Sequence, residues 1–453
     1  MKSEGPALVL DENRLPSAVI TLAWPVVLQS AVGSVLSMIV IFFIGRFGAG
    51  AIVAVSLSET IVSLPTVAIS GLSIGVTAII ARHVGARESS QAGVVAGQAM
   101  LLSLILGALF AIVLWLSADL LLWVYRAHPD VLELGRDYIR VNAPATVPVF
   151  VASCGVAILH GLGDTRTPMM VMITVEALAA GLGYVLITGF GGAPALGVLG
   201  AGISRAVAGT VGALVVLAVL VRGKGPVKYD LRTALALNWP EARRILRVGM
   251  PAFGDQLATQ GAMNLYIITV SSLGTTVYAA HALAMRVLGL TYVPLNGLAT
   301  AAAILVGQSL GARRPDLATR SGHLAQRYCV MIMACLGVIT FVLAHQLIDV
   351  FTDDPEVIKV GAMGLRLWAL AMPAVATSLT LASGLRGAGD TRWVFILTAM
   401  GMWTMRVGMG ALMVFVFRLG VLGAWMSAVF DQGIRALLLW RRFEGGKWQK
   451  IQV

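Results

Sequence analysis

The 453-residue chain is 58% hydrophobic and only 12% charged, with a mean hydropathy of +0.86. So little charge cannot cover a water-soluble globule of this size, which excludes a soluble enzyme or scaffold and leaves an integral membrane protein. A net charge of +11 would suit a nucleic-acid partner, but the basic residues are sorted by membrane side rather than gathered in a patch, which excludes that partner too.

Residues 1–14 carry Glu4, Asp11 and Glu12, and the apolar run that follows is too long for a signal-peptide core, so no cleavage is expected. Stretches long enough to cross a ~30 Å hydrocarbon core then recur. Six are expected at 15–46, 51–81, 93–122, 132–160, 167–189 and 196–222. A polar segment at 223–240, with Lys224, Pro226, Lys228, Asp230, Arg232 and Pro240, reads as a linker long enough to let each side move as a body. Six more spans follow at 241–272, 277–306, 318–347, 357–385, 393–417 and 420–441. The expected fold is an all-α integral membrane protein of twelve transmembrane helices in two pseudo-symmetric six-helix lobes, 1–222 and 241–453. Arg82, Arg87, Arg166, Lys224, Arg313, Arg392 and Arg442 all fall in even-numbered connections or at the terminus, and the opposite side carries fewer basic residues. The positive-inside rule therefore puts both termini in the cytoplasm of a plasma (bacterial inner) membrane. Cys154, Cys329 and Cys335 lie inside predicted spans and read as packing residues.

The two lobes are copies of one unit. At an offset of 226 residues, Gly161-Leu162-Gly163-Asp164-Thr165-Arg166 answers Gly387-Ala388-Gly389-Asp390-Thr391-Arg392, and Gly85-Ala86-Arg87 answers Gly311-Ala312-Arg313. Pro25 pairs with Pro251, Gly48 with Gly274 and Gly71 with Gly297; near the end the offset drops to 223, where Gly197-Val198-Leu199-Gly200-Ala201 answers Gly420-Val421-Leu422-Gly423-Ala424. Duplicated apolar halves in one chain are the architecture of secondary transporters, whose site lies between halves that rock. The Gly-x-Gly-Asp-Thr-Arg strings join membrane helices, with no strand before them and no Walker lysine, so they read as tight cytoplasmic turns in which Gly frees the backbone and Asp caps the next helix.

Several strings, in order, resemble the multidrug and toxic compound extrusion (MATE) family. They are Pro25 with Gly45-Arg46-Phe47-Gly48, the duplicated Gly-x-Gly-Asp-Thr-Arg turns, Ala279-Ala280-His281, and the terminal Arg442-Phe443-Glu444-Gly445-Gly446-Lys447-Trp448. The resemblance spans essentially the whole chain and implies export of organic cations or other amphipathic compounds in exchange for protons or sodium. The chain departs from the family at its best-known coupling positions: an aspartate of span one is Val40, an asparagine and aspartate of span five are Ala179 and Gly183, and an acidic position of span seven is Thr259. Those roles cannot be carried over.

Ionisable residues inside a span cost ~2.5–3.5 kcal/mol or more, so each one retained is a functional candidate. Asp255 leads, because Asp255, Thr259, Met263 and Tyr266 share one face of span seven, with Gln256 and Gln260 beside it. Its repeat counterpart is Gln29, so the acid belongs to one lobe only; ion coupling or cargo binding is the sharp reading, and a hydrated cap near the helix end the plain one. Arg406 and Asp431 fall near the middle of spans eleven and twelve, opposite Ala180 and Ala208, and form either a permanent pair or a protonation switch. Glu59 of span two and Arg286 of span eight lie at similar predicted depth and are candidates for an external gate, while Glu176 and Arg205 are placed at different depths. Pro25 and Pro251 bend their helices, either to expose carbonyls to a cavity or simply to set helix shape. His281 has no second ligand at a metal-binding spacing and reads as a packing or hydrogen-bonding residue.

The expected function is a monomeric antiporter exporting amphipathic cations, in contact with membrane lipids, with no nucleic-acid partner and no cofactor beyond the proton or sodium that drives it. A flippase for a lipid or lipid-linked sugar is the alternative, favoured by a cationic cavity. A membrane-embedded enzyme would show a clustered nucleophile and base, and a passive channel would need an oligomeric pore; the sequence displays neither pattern.

Overall fold

A computed structural model of the chain describes residues 12–45, 49–124, 129–192, 194–222 and 237–451. Most of the linker, and Arg46-Phe47-Gly48 of the first family string, lie outside the described residues. After a short 3₁₀ turn at Glu12–Arg14, the helices run α1 (Leu15–Gly45), α2 (Ala49–Gly85), α3 (Ser89–Val124), α4 (Pro129–Gly161), α5 (Arg166–Thr188), α6 (Gly197–Val221), α7 (Trp239–Ser271), α8 (Thr275–Gly311), α9 (Pro315–Val342), a short α10 (Ala344–Asp349), α11 (Pro355–Gly387), α12 (Thr391–Gly401) and α13 (Gly420–Glu444). The described residues contain no strand. Among the described residues, ten helices are long and apolar enough to cross a membrane. The two remaining long helices, α7 and α13, are 33 and 25 residues and carry Arg243, Arg244, Arg247, Asp255 and Asp431, Arg435, Arg441 respectively, so charge and not length sets them apart.

α3 shows why these helices suit lipid. Ile105, Leu109, Ile112, Leu116, Leu120 and Trp123 recur every three or four residues and are exposed, while Ser103, Gly107, Leu114, Ala118 and Leu122 on the other face are buried. A helix apolar on all sides is stable only where its outer face meets hydrocarbon. The inner face packs with Ile61 of α2 and with Ile139 and Ala143 of α4.

The repeated turns serve as the sequence predicts in three of four respects. Gly163 and Gly389 sit at φ 83° and 85°, a region open to glycine, and Arg87 and Arg313 close the other repeated turn at φ 62° and 58°. Gly161 and Gly387 let α4 and α11 approach α2 and α8: a Cβ on Gly387 would stand 2.1 Å from the Ala303 carbonyl oxygen. Asp164 accepts a hydrogen bond from Thr167 N at 2.9 Å, as a capping residue does. Asp390 does not cap. Its carboxylate instead takes Arg442 Nε at 2.8 Å and so ties the turn to the end of α13. Beyond α13, Trp448 is fully buried and stacks on Phe443, so the chain as far as Trp448 is part of the packed structure.

The chain forms two compact units, and they do not follow the sequence boundary between lobes. One comprises residues 28–249, the other 1–27 and 250–453. The divisions fall inside α1 and α7, beside Pro25 and Pro251, where a proline interrupts the helical hydrogen bonding. Ala18, Val19, Leu22 and Ala23 of α1 thus belong to a core with Leu298, Ala302 and Leu305 of α8 and with residues of α9, α11 and α13. Gly297 permits that approach, since a Cβ there would lie 2.6 Å from the Ala23 carbonyl oxygen. The other unit repeats the device at the equivalent positions, where a Cβ on Gly249 of α7 would stand 3.0 Å from the Gly71 carbonyl oxygen of α2. Cys154 and Cys329 are buried packing residues, whereas Cys335 is exposed.

Candidate functional site

Charged groups are held between helices within each unit. In the C-terminal unit, Asp255 is 3% exposed and receives Arg386 Nη2 at 2.5 Å. Arg386 occupies the last turn of α11, four residues before Asp390, so the pair pins α7 to α11 just beyond Pro251. Burial and an ionic partner replace the hydrated cap that a position near the helix end suggested. Asp255 Oδ1 and Arg386 Nε have no hydrogen-bond partner.

The rest of the predicted face of α7 turns inward. Met263 Sδ receives Arg406 Nη1 at 3.3 Å, and the Tyr266 hydroxyl donates to the Ala424 carbonyl at 3.2 Å. Gln256 and Thr259 are half-buried and Gln260 is exposed. Tyr266 meets the edge of His281, whose Nδ1 accepts from Trp425 Nε1 at 3.0 Å, which gives His281 a hydrogen-bonding role inside the unit. Gln29 is half-buried with an unpartnered Oε1.

Arg406 and Asp431 do meet, at 3.0 Å, but not as a simple pair. Arg435, one helical turn after Asp431, donates from Nη2 to Asp431 Oδ2 at 2.9 Å and places Nε 2.8 Å from Oδ1. Two guanidinium groups therefore share one carboxylate. The i, i+4 spacing of Asp431 and Arg435 was the signal available in sequence. Arg406 stands on an unusual stretch: α12 continues from Met402 to Met409, and again from Leu412 to Val416, as π-helix. Such widened turns concentrate at functional sites.

In the other unit, Arg205 of α6 donates from Nη1 to Glu59 Oε1 of α2 at 2.9 Å, and the buried Tyr138 hydroxyl of α4 donates to the same oxygen at 3.4 Å. Glu176 of α5 interacts electrostatically with both Arg205 and Glu59. Three helices thus bring one carboxylate, one guanidinium and a phenol together, with Glu176 of α5 within electrostatic range of them. The ion pair is partly open, with Arg205 and Glu59 side chains 63% and 37% exposed. Glu59 therefore has a partner inside its own unit, whereas Arg286, its proposed gate partner, is exposed on α8. No group of three or more metal-ligating side chains occurs among the described residues.

The duplicated frame and its prolines match the MatE family model over residues 25–185 and again over 251–412. The chain belongs to the MatE family. Each match begins at one of the two bend prolines, so the repeat read in the sequence is the family's own unit. A probable multidrug resistance protein NorM of Thermotoga maritima is 27% identical over 96% of this chain and 93% of its own length. Among solved structures, the outward-facing conformation of a multidrug resistance MATE transporter of the MOP superfamily superposes with a TM-score of 0.90 at 25% identity, covering 99% of both chains. A MOP superfamily transporter from Pyrococcus furiosus, whose reversed binding-pocket polarity suggests a different function, has the same fold with a TM-score of 0.90 at 24% identity over 100% of both chains. MatE proteins are membrane transporters and not enzymes, so the chain is an integral membrane transporter.

Proposed function

We propose that this MatE protein is a secondary antiporter that exports amphipathic organic cations across the plasma membrane in exchange for protons or sodium. The observation that carries the reading is the Glu59–Arg205–Tyr138 group with Glu176 beside it. Two carboxylates against one guanidinium leave net negative charge on a partly open face of the N-terminal unit, in a chain whose Val40, Ala179, Gly183 and Thr259 replace the family's usual coupling residues. Arg205 acts as an internal counter-ion there. A proton, sodium ion or cargo ammonium that reaches the carboxylates competes with it, and alternation between the two partners converts binding into movement. The reading includes a monomer with both termini in the cytoplasm. The names of curated relatives, which describe multidrug resistance, support the choice of cargo.

The test is release of a fluorescent organic cation from proteoliposomes under a proton gradient and, separately, a sodium gradient. Gradient-driven release that is lost in Glu59→Gln and in Glu176→Gln supports the proposal and identifies the ion. Release unaffected by both substitutions removes these carboxylates from coupling and returns attention to Asp255. No release under either gradient favours lipid cargo.

A further inference from the structure

At one buried place in the C-terminal unit, hydrogen-bond donors outnumber acceptors. Arg406 is 4% exposed, and its guanidinium sits 5.7 Å from the Tyr266 ring and 5.5 Å from the Trp368 ring. Of its nitrogens, Nη1 meets only the thioether of Met263, a weak acceptor, and Nη2 shares Asp431 with Arg435 at an angle unsuited to a hydrogen bond. Nε has no acceptor at all. Trp368, 6% exposed, likewise leaves its indole Nε1 without a partner. Among acceptors, His281 Nδ1 is used by Trp425 and the Ala424 carbonyl by Tyr266 and Ser427; Asp431 Oδ1 makes no hydrogen bond, one acceptor against four unpartnered donors, Arg406 Nε and Nη2, Arg435 Nε and Trp368 Nε1.

Unmade hydrogen bonds and an unbalanced charge point the same way. Leaving buried N–H groups unpaired is costly, and the Arg406–Asp431–Arg435 group carries one positive charge in excess within a membrane-spanning unit. A water molecule would satisfy the donors and leave the charge. An anion removes both defects together. We infer that the C-terminal unit holds an anion site between Arg406 and Trp368, where one halide ion or one carboxylate oxygen accepts from Arg406 Nε and Trp368 Nε1. Arg406 Cζ stands over the Trp368 ring, 5.5 Å from its centroid, so the two unpartnered donors belong to neighbouring side chains. Asp431 is the internal competitor for the same charge, and Arg406 stands on a π-helical stretch of the kind that concentrates at functional sites. This site lies in the opposite unit from Glu59, has the opposite sign, and does not depend on the cation-export reading.

The test is thermal unfolding of the full chain in detergent, in sodium methanesulfonate, which carries no carboxylate, progressively replaced by sodium chloride or sodium benzoate at constant ionic strength. A bound anion raises Tm with saturation, by mass action. A rise with chloride alone identifies a free inorganic anion, and a rise with benzoate identifies the acid group of an amphipathic molecule. Trp368→Phe keeps the aromatic face and removes the N–H; it is expected to raise the half-saturating concentration on the order of ten-fold. Arg406→Lys, which keeps the charge and removes Nε, should do the same. Asp431→Asn is expected to lower the half-saturating concentration, an effect a merely structural carboxylate would not produce. Absence of a rise with either salt, or a rise unchanged by both Trp368→Phe and Arg406→Lys, overturns the inference.

Discussion

Removing one partner from Asp255–Arg386 leaves a buried charge uncompensated, which costs about 3–5 kcal/mol, whereas removing both costs far less. Asp255→Asn is therefore expected to lower Tm in detergent markedly, and the double variant Asp255→Asn with Arg386→Gln to recover most of the loss. Glu59→Gln differs. Its pair is partly exposed and worth about 0–1 kcal/mol, so transport should fall several-fold while Tm scarcely moves. Comparing Tm with transport rate for the two variants separates a structural acid from a transporting one. The sequence made the acids legible, because isolated carboxylates in apolar spans stand out, but not their partners. Arg386 sits in the last turn of α11 beside a repeated turn, where an arginine reads as an ordinary membrane-side marker. The repeat held the missing signal: Asp255 stands opposite Gln29 and Arg386 opposite His160, so both charges are confined to the same lobe. Glu59 and Arg205 are 146 residues apart on helices whose relative depth sequence boundaries do not fix.

At the scale of elements, close approach is the strictest condition in this fold. Gly387→Ala places a methyl against the Ala303 carbonyl, and the overpacking is expected to cost about 1–3 kcal/mol. Gly384→Ala, one turn earlier, would put its Cβ 3.6 Å from Phe443 and Val306, an ordinary contact, and should leave Tm nearly unchanged. Unfolding of the two variants in detergent checks the contrast. The helices and their turns were legible because an apolar run ended by Gly-x-Gly-Asp has few other solutions. The π-helical stretches of α12 were not. A backbone hydrogen bond from Phe417 N to the Leu412 carbonyl, five residues back, leaves no periodic mark in an apolar segment where nearly every position is hydrophobic. The different use of Asp164 and Asp390 was equally hidden, since strings alike at all but one position acquire different partners once Arg442 is nearby.

For the molecule as a whole, the repeat predicts two units, but not that each includes the first turns of the other half's leading helix. That exchange depends on Gly249 against Gly71 and on Ala23 against Gly297, contacts between residues whose smallness is common in membrane helices. Its consequence for a divided chain is direct. Residues 1–222 and 237–453 expressed as separate polypeptides should co-purify, because residues 15–27 complete the core formed by α8, α9, α11 and α13. A first fragment beginning at Leu28 should bind its complement measurably less well in the same pull-down. The exchange also orders the protein's birth. Leu22 and Leu305 share a core yet are separated by 283 residues, so α1 leaves the ribosome well before it has a complete place to pack. At ~5–20 residues per second, that segment waits roughly 15–60 s for its partners. For that interval lipid, the insertion machinery or a chaperone must shelter a face that the finished protein keeps for itself.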